Sequence, residues 1–252
     1  MKNIVFFSCF LFFSFCVVVG CHKNSSGTNT KTTIGETKPF GADSIHSWMI
    51  TDASGAPTSI GVTFKAAALA GLPATDTMIM VMLPMMTGMS GMMATNFDHI
   101  EVDWSAHGDP SPSVYDIPHL DCHFFMVNMS DQMMIMGGMD SSVLASQYVP
   151  KNCMADSFSE ANMGVHYMDT TGQEYYGATF NHTCDYGFYH TNMVFMEVMC
   201  SKAFLDSKMS YTGAIEQPSA FKKSGYYPLN YTVSYNATTL EYTYSLDNLK
   251  SH

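Results

Sequence analysis

The sequence predicts an all-β domain with minor α content, an antiparallel sandwich or barrel. Three observations carry this. Short runs of alternating apolar and polar residues recur between turn-forming residues, as half-buried strands do. From residue 40 onward no stretch keeps a 3.6-residue apolar period for three turns, Ser141 to Tyr148 excepted. No linker and no fixed-period repeat interrupts the chain after residue 40, so residues 40–252 read as a single β-rich domain.

The elements follow in order. Thr58, Ile60, Val62 and Phe64 alternate with smaller residues, and Lys65 to Gly71 is a short helical turn ended by glycine. Thr77 to Leu83 alternates Met78, Met80 and Met82 with Ile79 and Val81, and stops at Pro84. His99 to Trp104 and His119 to Val127 are strands with one polar face. Phe180 to Tyr189 and Met193 to Val198 form a hairpin around His190-Thr191-Asn192. Tyr231 to Tyr235 and Tyr242 to Leu246 pair across Asn236-Ala-Thr-Thr.

The first forty residues read as an address and a tether. Lys2 precedes an apolar run, Ile4 to Val19, shorter than the ~20 residues of a membrane span. Val18-Val19-Gly20-Cys21 has the form of a bacterial lipoprotein cleavage box: a branched apolar residue, a small residue, then a thiol to acylate. Residues 1–20 are therefore expected to be a lipoprotein signal peptide. Residues 21–39, polar and small, are expected to be a flexible tether from lipidated Cys21. This places the domain in the bacterial cell envelope, extracytoplasmic, with the membrane as partner through its anchor.

The chain is acidic, with a formal charge of −11, and all its basic residues are lysine. Nucleic acid is not an expected partner, because phosphate contacts need clustered positive charge. Charged residues are only 13%, well under the usual ~25%, which leaves a surface of small polar residues or one buried in a homo-oligomer. Cys122, Cys153, Cys184 and Cys200 allow one or two disulfides in an oxidising compartment, without fixing the pairing.

The chemistry concentrates between Phe97 and Met126, which holds four of the ten histidines and six acidic residues. In a strand, residues i, i+2 and i+4 share a face, so His119, Asp121 and His123 project together, as do His99, Glu101 and Asp103. Imidazole and carboxylate suit borderline divalent transition metals. His99, His119 and His123, with Glu101 or Asp121 as carboxylate, are the expected ligands. Asp121 is alternatively an orienting partner for a ligating histidine. A buried hydrogen-bond network that fixes strand register is the competing explanation. Asp103, His107, His166 and Glu197 are further candidates, the last two only if they converge on the same cluster. Tyr115 and Asp116 are expected at the mouth of a pocket.

The chain has 23 methionines, grouped at Met78–Met93 and Met126–Met139. Thioether sulfur suits Cu(I), which makes copper a possible cofactor. Methionine is also an adaptable apolar filler or contact surface.

Phe97-Asp-His99-Ile-Glu-Val-Asp103-Trp104, His107-Gly108, and then Tyr115-Asp116-x-Pro118-His119-x-Asp121-x-His123-Phe124 form a long motif. It is flanked by Pro57 to Val62, Met163-Gly164-x-His166, Thr183-x-x-Tyr186-Gly187 and Phe195-x-Glu197-x-Met199. Over roughly residues 40–245 this resembles a bacterial family of exported proteins built on a domain of unknown function. The resemblance implies a mostly β, self-associating domain without an established activity. His99, His119, Asp121, His123, His166 and Glu197 match its pattern. Asp109 stands where a histidine is expected, a departure that counts against a metal role for that loop.

The functional expectation is a membrane-anchored extracytoplasmic lipoprotein that binds a metal ion or small ligand at the His/Asp/Glu cluster, more binder than enzyme. The alternatives are a metal-dependent enzyme of barrel type, with Glu101 or Glu197 as base, and a self-assembling structural protein with Met-rich apolar contacts.

Overall fold

The computed structural model describes residues 30–84, 95–109 and 113–252. The signal segment, Cys21 and the methionines at 85–93 lie outside them.

Two open antiparallel sheets and a short ribbon make up the fold, so it is a sandwich rather than a closed barrel. The six-stranded sheet contains β1 (Lys31–Phe40), β2 (Asp43–Thr51), β3 (Pro57–Lys65), β11 (Tyr211–Ala214), β13 (Asn230–Asn236) and β14 (Glu241–Asp247). Their spatial order is β1-β2-β3-β14-β13-β11. The seven-stranded sheet contains β4 (Thr77–Met82), β5 (His99–Ser105), β6 (His119–Phe125), β7 (Cys153–Glu160), β8 (Gly164–Asp169), β9 (His182–Tyr189) and β10 (Asn192–Ser201). Their order is β4-β5-β6-β10-β9-β8-β7. The ribbon pairs β12 (Tyr226–Tyr227) with β15 (Lys250–Ser251).

The apolar alternation explains the packing. Across β2, β3 and β14, Ile45, Phe64 and Tyr242 stand in one row, and Met49, Ile60 and Leu246 in another. The facing sheet contributes Ile100, Val102, Leu120, Cys122, Phe124, Tyr186, Met196 and Val198. These residues interdigitate in one buried core between the sheets.

The expected strands are present with edges shifted by a few residues. The β9–β10 turn is tighter than expected: His190 and Thr191 alone form it, both at positive φ, the conformation of a two-residue primed turn. Lys65 to Gly71 contains a 3₁₀ turn, Ala66–Gly71, and the one stretch with helical period shrinks to another, Ser146–Tyr148. Among the described residues a third 3₁₀ turn, Gln173–Tyr176, and two short helices complete the set: α1 (Met129–Gln132), capped by Asn128, and α2 (Lys202–Asp206), capped by Ser201.

The tether expectation is corrected by β1. Residues 31–39 belong to a strand that pairs with β2 from Lys31↔Thr51 to Phe40↔Asp43. An edge strand needs few apolar residues, and the threonines that suggested a tether are β-branched and suit a pleated strand. Glu36 also accepts a hydrogen bond from the Met82 backbone N–H at 2.8 Å, and the Ser47 hydroxyl donates to the Met82 carbonyl. These bonds stitch β1 and β2 to β4 at one side of the sandwich.

The disulfide expectation is corrected as well: Cys122, Cys153, Cys184 and Cys200 are free thiols. Strand register explains this for the two central ones. Cys122 and Cys184 both stand opposite Val198, from its two sides, rather than opposite each other.

Phe64 is 1% exposed and packs against the rings of Phe40, Tyr242 and Tyr244. Phe64→Ala is expected to cost about 3–5 kcal/mol through the cavity it leaves, read as a lowered urea midpoint at unchanged m-value.

Candidate metal centre

The polar residues gather on the outer face of the seven-stranded sheet, opposite the core. Register places Glu101, His123, Glu197 and Asp185 in one row across β5, β6, β10 and β9. Asp103, Asp121 and Met199 form the next row, and Phe125, Phe195, Gly187 and His166 the row on the other side. Gly187 is required there, since a Cβ at that position would meet the Phe195 ring at 2.1 Å. That ring in turn packs against both His123 and His166.

Loops wall this face into a cleft of about 450 Å³. Eight carboxylate residues line it, with no lysine among the lining residues. Met78, Met163, Met168 and Met199 supply apolar wall. Tyr115 lines it as expected, whereas Asp116 is exposed and takes no part in the lining.

Two groups of ligand-type atoms converge on this face. In the first, His123, His166 and Glu197 each bring one ligand atom within 4.8 Å of the others. His123 Nδ1 lies 3.0 Å from Asp103 Oδ2 and donates to it, which orients the ring and leaves Nε2 directed at Glu197 Oε1, 3.2 Å away. His166 Nε2 is 3.6 Å from Glu197 Oε2. His123 Nε2 and Glu197 Oε2 are buried without a hydrogen-bond partner. Burial pulls the His123 pKa down, but the Glu197 and Asp103 carboxylates outweigh it and hold the imidazole well above its usual range. Burial pushes Glu197 up, and His123 overcomes this and draws it down to about 2.

The second group is Asp109, His119 and Asp121, again with ligand atoms within 4.8 Å. His119 Nδ1 donates to the Ile117 carbonyl at 2.7 Å. Its Nε2 faces Asp121 Oδ2 at 3.2 Å and Asp109 Oδ2 at 3.5 Å. Burial lowers the His119 pKa, and the two carboxylates outweigh it to raise it to about 11. Asp121 is raised to about 7 by burial, partly offset by His119.

The single cluster expected from sequence therefore divides in two. Four residues of extended chain separate His119 from His123, about 13 Å. Metal–ligand bonds of about 2.1 Å require ligand atoms within roughly 4 Å of one another. A shared strand face is not a shared coordination sphere.

His99 and Glu101, expected as ligands, lie outside both groups. His99 Nδ1 meets Asp98 at 2.8 Å, Nε2 meets the Gln132 side-chain oxygen at 2.9 Å, and the ring stacks on Phe125 at 5.0 Å. Gln132 donates in turn to Glu101 at 3.1 Å. Neither ring nitrogen of His99 is left free for a metal. Asp103 orients His123 instead of ligating, and His107 is exposed on the turn after β5. His166 and Glu197 do converge.

Asp109 and Asp185 are among the cleft residues that escaped the sequence reading. Asp109 was set aside with its loop, yet that loop is pinched at its base: Gly108 has φ +76°, and a Cβ there would sit 2.2 Å from the Ile117 nitrogen. Only glycine allows this approach, which lets the Asp109 N–H donate to the Tyr115 carbonyl at 2.9 Å and holds Asp109 beside His119. Asp185, fully buried, was signalled by the alternation of Thr183, Asp185 and Gly187 with Cys184, Tyr186 and Phe188. Burial, followed by the Glu197 charge, pushes its pKa well above the usual carboxylate range, against hydrogen bonds from the Asp169 N–H and the Thr183 hydroxyl.

Comparison with known proteins adds one match. Residues 52–104 are similar to the TTHB210-like family, described by the hypothetical protein TTHB210. The match begins just after β2, ends within β5 and includes His99, Glu101 and Asp103. It fits the expected kind of family, one built on an uncharacterised domain, over less than half of the chain. No curated protein and no solved structure matches.

Gly108→Ala is expected to displace Asp109 from His119 while leaving the sheets intact. Loss of the Asp109–His119 contact in a crystal structure of the variant, with an unchanged circular dichroism spectrum, is the check. Asp185 gives a second prediction. An acid whose folded pKa is raised stabilises most below its unfolded pKa of about 3.9, and that contribution is lost as pH rises toward the folded value. Asp185→Asn, which mimics the neutral acid, is expected to flatten the fall of stability above about pH 4. Denaturant midpoints against pH for the chelator-treated protein measure it.

Proposed function

We propose that this chain is a metal-binding domain of the cell envelope that holds a divalent transition ion through His123, His166 and Glu197. The observation that carries the reading is the environment of His123. Its Nδ1–H is committed to Asp103, so the Nε2 lone pair faces a carboxylate that is itself short of a partner. A buried lone pair and a buried carboxylate facing each other need a positive charge between them, a proton or a metal cation. A histidine whose second nitrogen donates to a carboxylate is the usual arrangement of a metal ligand. Two imidazoles and one carboxylate suit zinc, iron or a similar ion rather than calcium or magnesium.

The anchor belongs to the same proposal. Lipid on Cys21, after cleavage behind Gly20, would hold the domain at the membrane surface, where the acidic cleft would meet ions outside the cytoplasm. The cleft also supports a second reading, a metal-dependent enzyme. Its volume suits a small molecule, and the buried acid Asp185 lines it together with the three ligands.

Elemental analysis of the protein purified without a His-tag or chelator tests the proposal. A near-stoichiometric transition metal is expected, and it should fall at least tenfold in His166→Ala and in Glu197→Gln. Metal content unchanged in both variants would remove the assignment. Because the ion displaces the proton that the Glu197 and Asp103 carboxylates hold on His123, affinity should keep tightening as pH rises past the usual imidazole value of about 6.5. Isothermal titration in buffers of different ionisation enthalpy measures the released protons. For the enzyme reading, the Co²⁺ form should change its visible spectrum on adding azide, as an open coordination position allows; an unresponsive spectrum favours the binder.

A further inference from the structure

We infer that Asp109, His119 and Asp121 form a second cation site in the same cleft, separate from the first and harder in character. It goes beyond the proposed function and does not depend on it, since the two groups share no residue.

The argument starts from the buried ring of His119. The Ile117 carbonyl takes the Nδ1 proton at 2.7 Å, so Nε2 is the nitrogen that faces the carboxylates. Two carboxylate oxygens lie in front of it, at 3.2 and 3.5 Å. Neither makes a hydrogen bond with Nε2, and Asp121 Oδ1 is likewise buried without a partner. Such groups pointed at one another need a positive charge between them, a proton on Nε2 or a metal cation that displaces it.

The ligands are also held in place before any ion arrives. The Phe180 ring meets the His119 ring edge-on at 6.0 Å, and Tyr115 packs edge-on against Phe180. The pinch at Gly108 fixes Asp109. Such preorganisation is what a metal site needs and a loose acidic surface lacks.

The donor sets of the two groups differ. His123, His166 and Glu197 offer two nitrogens and one carboxylate. Asp109, His119 and Asp121 offer one nitrogen and two carboxylates, which shifts preference toward oxygen-seeking ions such as Mn²⁺. Asp109 is half-exposed whereas His119 is buried, so the ion would enter from the Asp109 side and keep solvent on that face.

The test is a titration of the full chain with Mn²⁺, followed by electron paramagnetic resonance of free Mn²⁺, and in parallel with Zn²⁺ by mass spectrometry under native conditions. Two ions per chain are expected at saturation. Asp109→Asn should weaken Mn²⁺ binding at least tenfold and leave the Zn²⁺ lost in His166→Ala untouched. Asp121→Asn should do the same, and Asp109→Asn, on the half-exposed loop, keeps the test open if the buried variant does not fold. One ion per chain, lost in His166→Ala and unaffected by Asp109→Asn, overturns the second site and leaves the first. One ion lost in Asp109→Asn alone supports the second site and overturns the first. No bound ion overturns both.

Discussion

Strand β6 is covered on both faces, and the chemistry of this molecule depends on that. All seven residues from His119 to Phe125 are buried. On one side this is ordinary, since Leu120, Cys122 and Phe124 enter the core. On the other it takes two imidazoles and a carboxylate out of water, which is unfavourable unless each finds a partner. The neighbouring strands supply them: Asp103 from β5 and Glu197 from β10 reach His123, each from one side. The acidic row across the sheet is thus a requirement of burial before it is a binding device.

The cover is built from short pieces rather than from a third layer. α1 places Gln132 between His99 and Glu101 and closes the β5 end of the outer face. The loop after β5 folds back through its Gly108 pinch. From the other side, the turn that carries Tyr175 meets Tyr115 hydroxyl to hydroxyl at 3.2 Å. These pieces leave a gap over the middle strands, which becomes the cleft. The rigid part is therefore the sheet beneath, and the loops set what can reach it.

Much of this was legible in the alternation of the strands. Period two is a property of the extended chain, so the opposite faces of β5 and β6, the hairpin of β9 and β10, and the pairing of β13 with β14 could all be read locally. The cluster was read correctly as a face and incorrectly as a site, because alternation says which way side chains point and not how far apart they stand. His99 illustrates the limit. Its local pattern is indistinguishable from that of His123, and the difference comes from Gln132, thirty-three residues away. β1 escaped for the opposite reason: an edge strand takes its stability from backbone pairing, which leaves little mark on composition. Asp109 depended on a turn whose glycine was visible but whose closure was not.

The pairing of β1 has a practical side. A domain boundary drawn at Phe40 would look safe from composition, yet it would cut away nine of the ten residues of that strand. The backbone groups of β2 now bonded to β1 would then lie open, and the Met82 amide of β4 would lose Glu36. Exposed strand edges of this kind recruit one another. A fragment begun at residue 40 would therefore be prone to join its own copies edge to edge, and any oligomer it formed would describe the truncation rather than the protein.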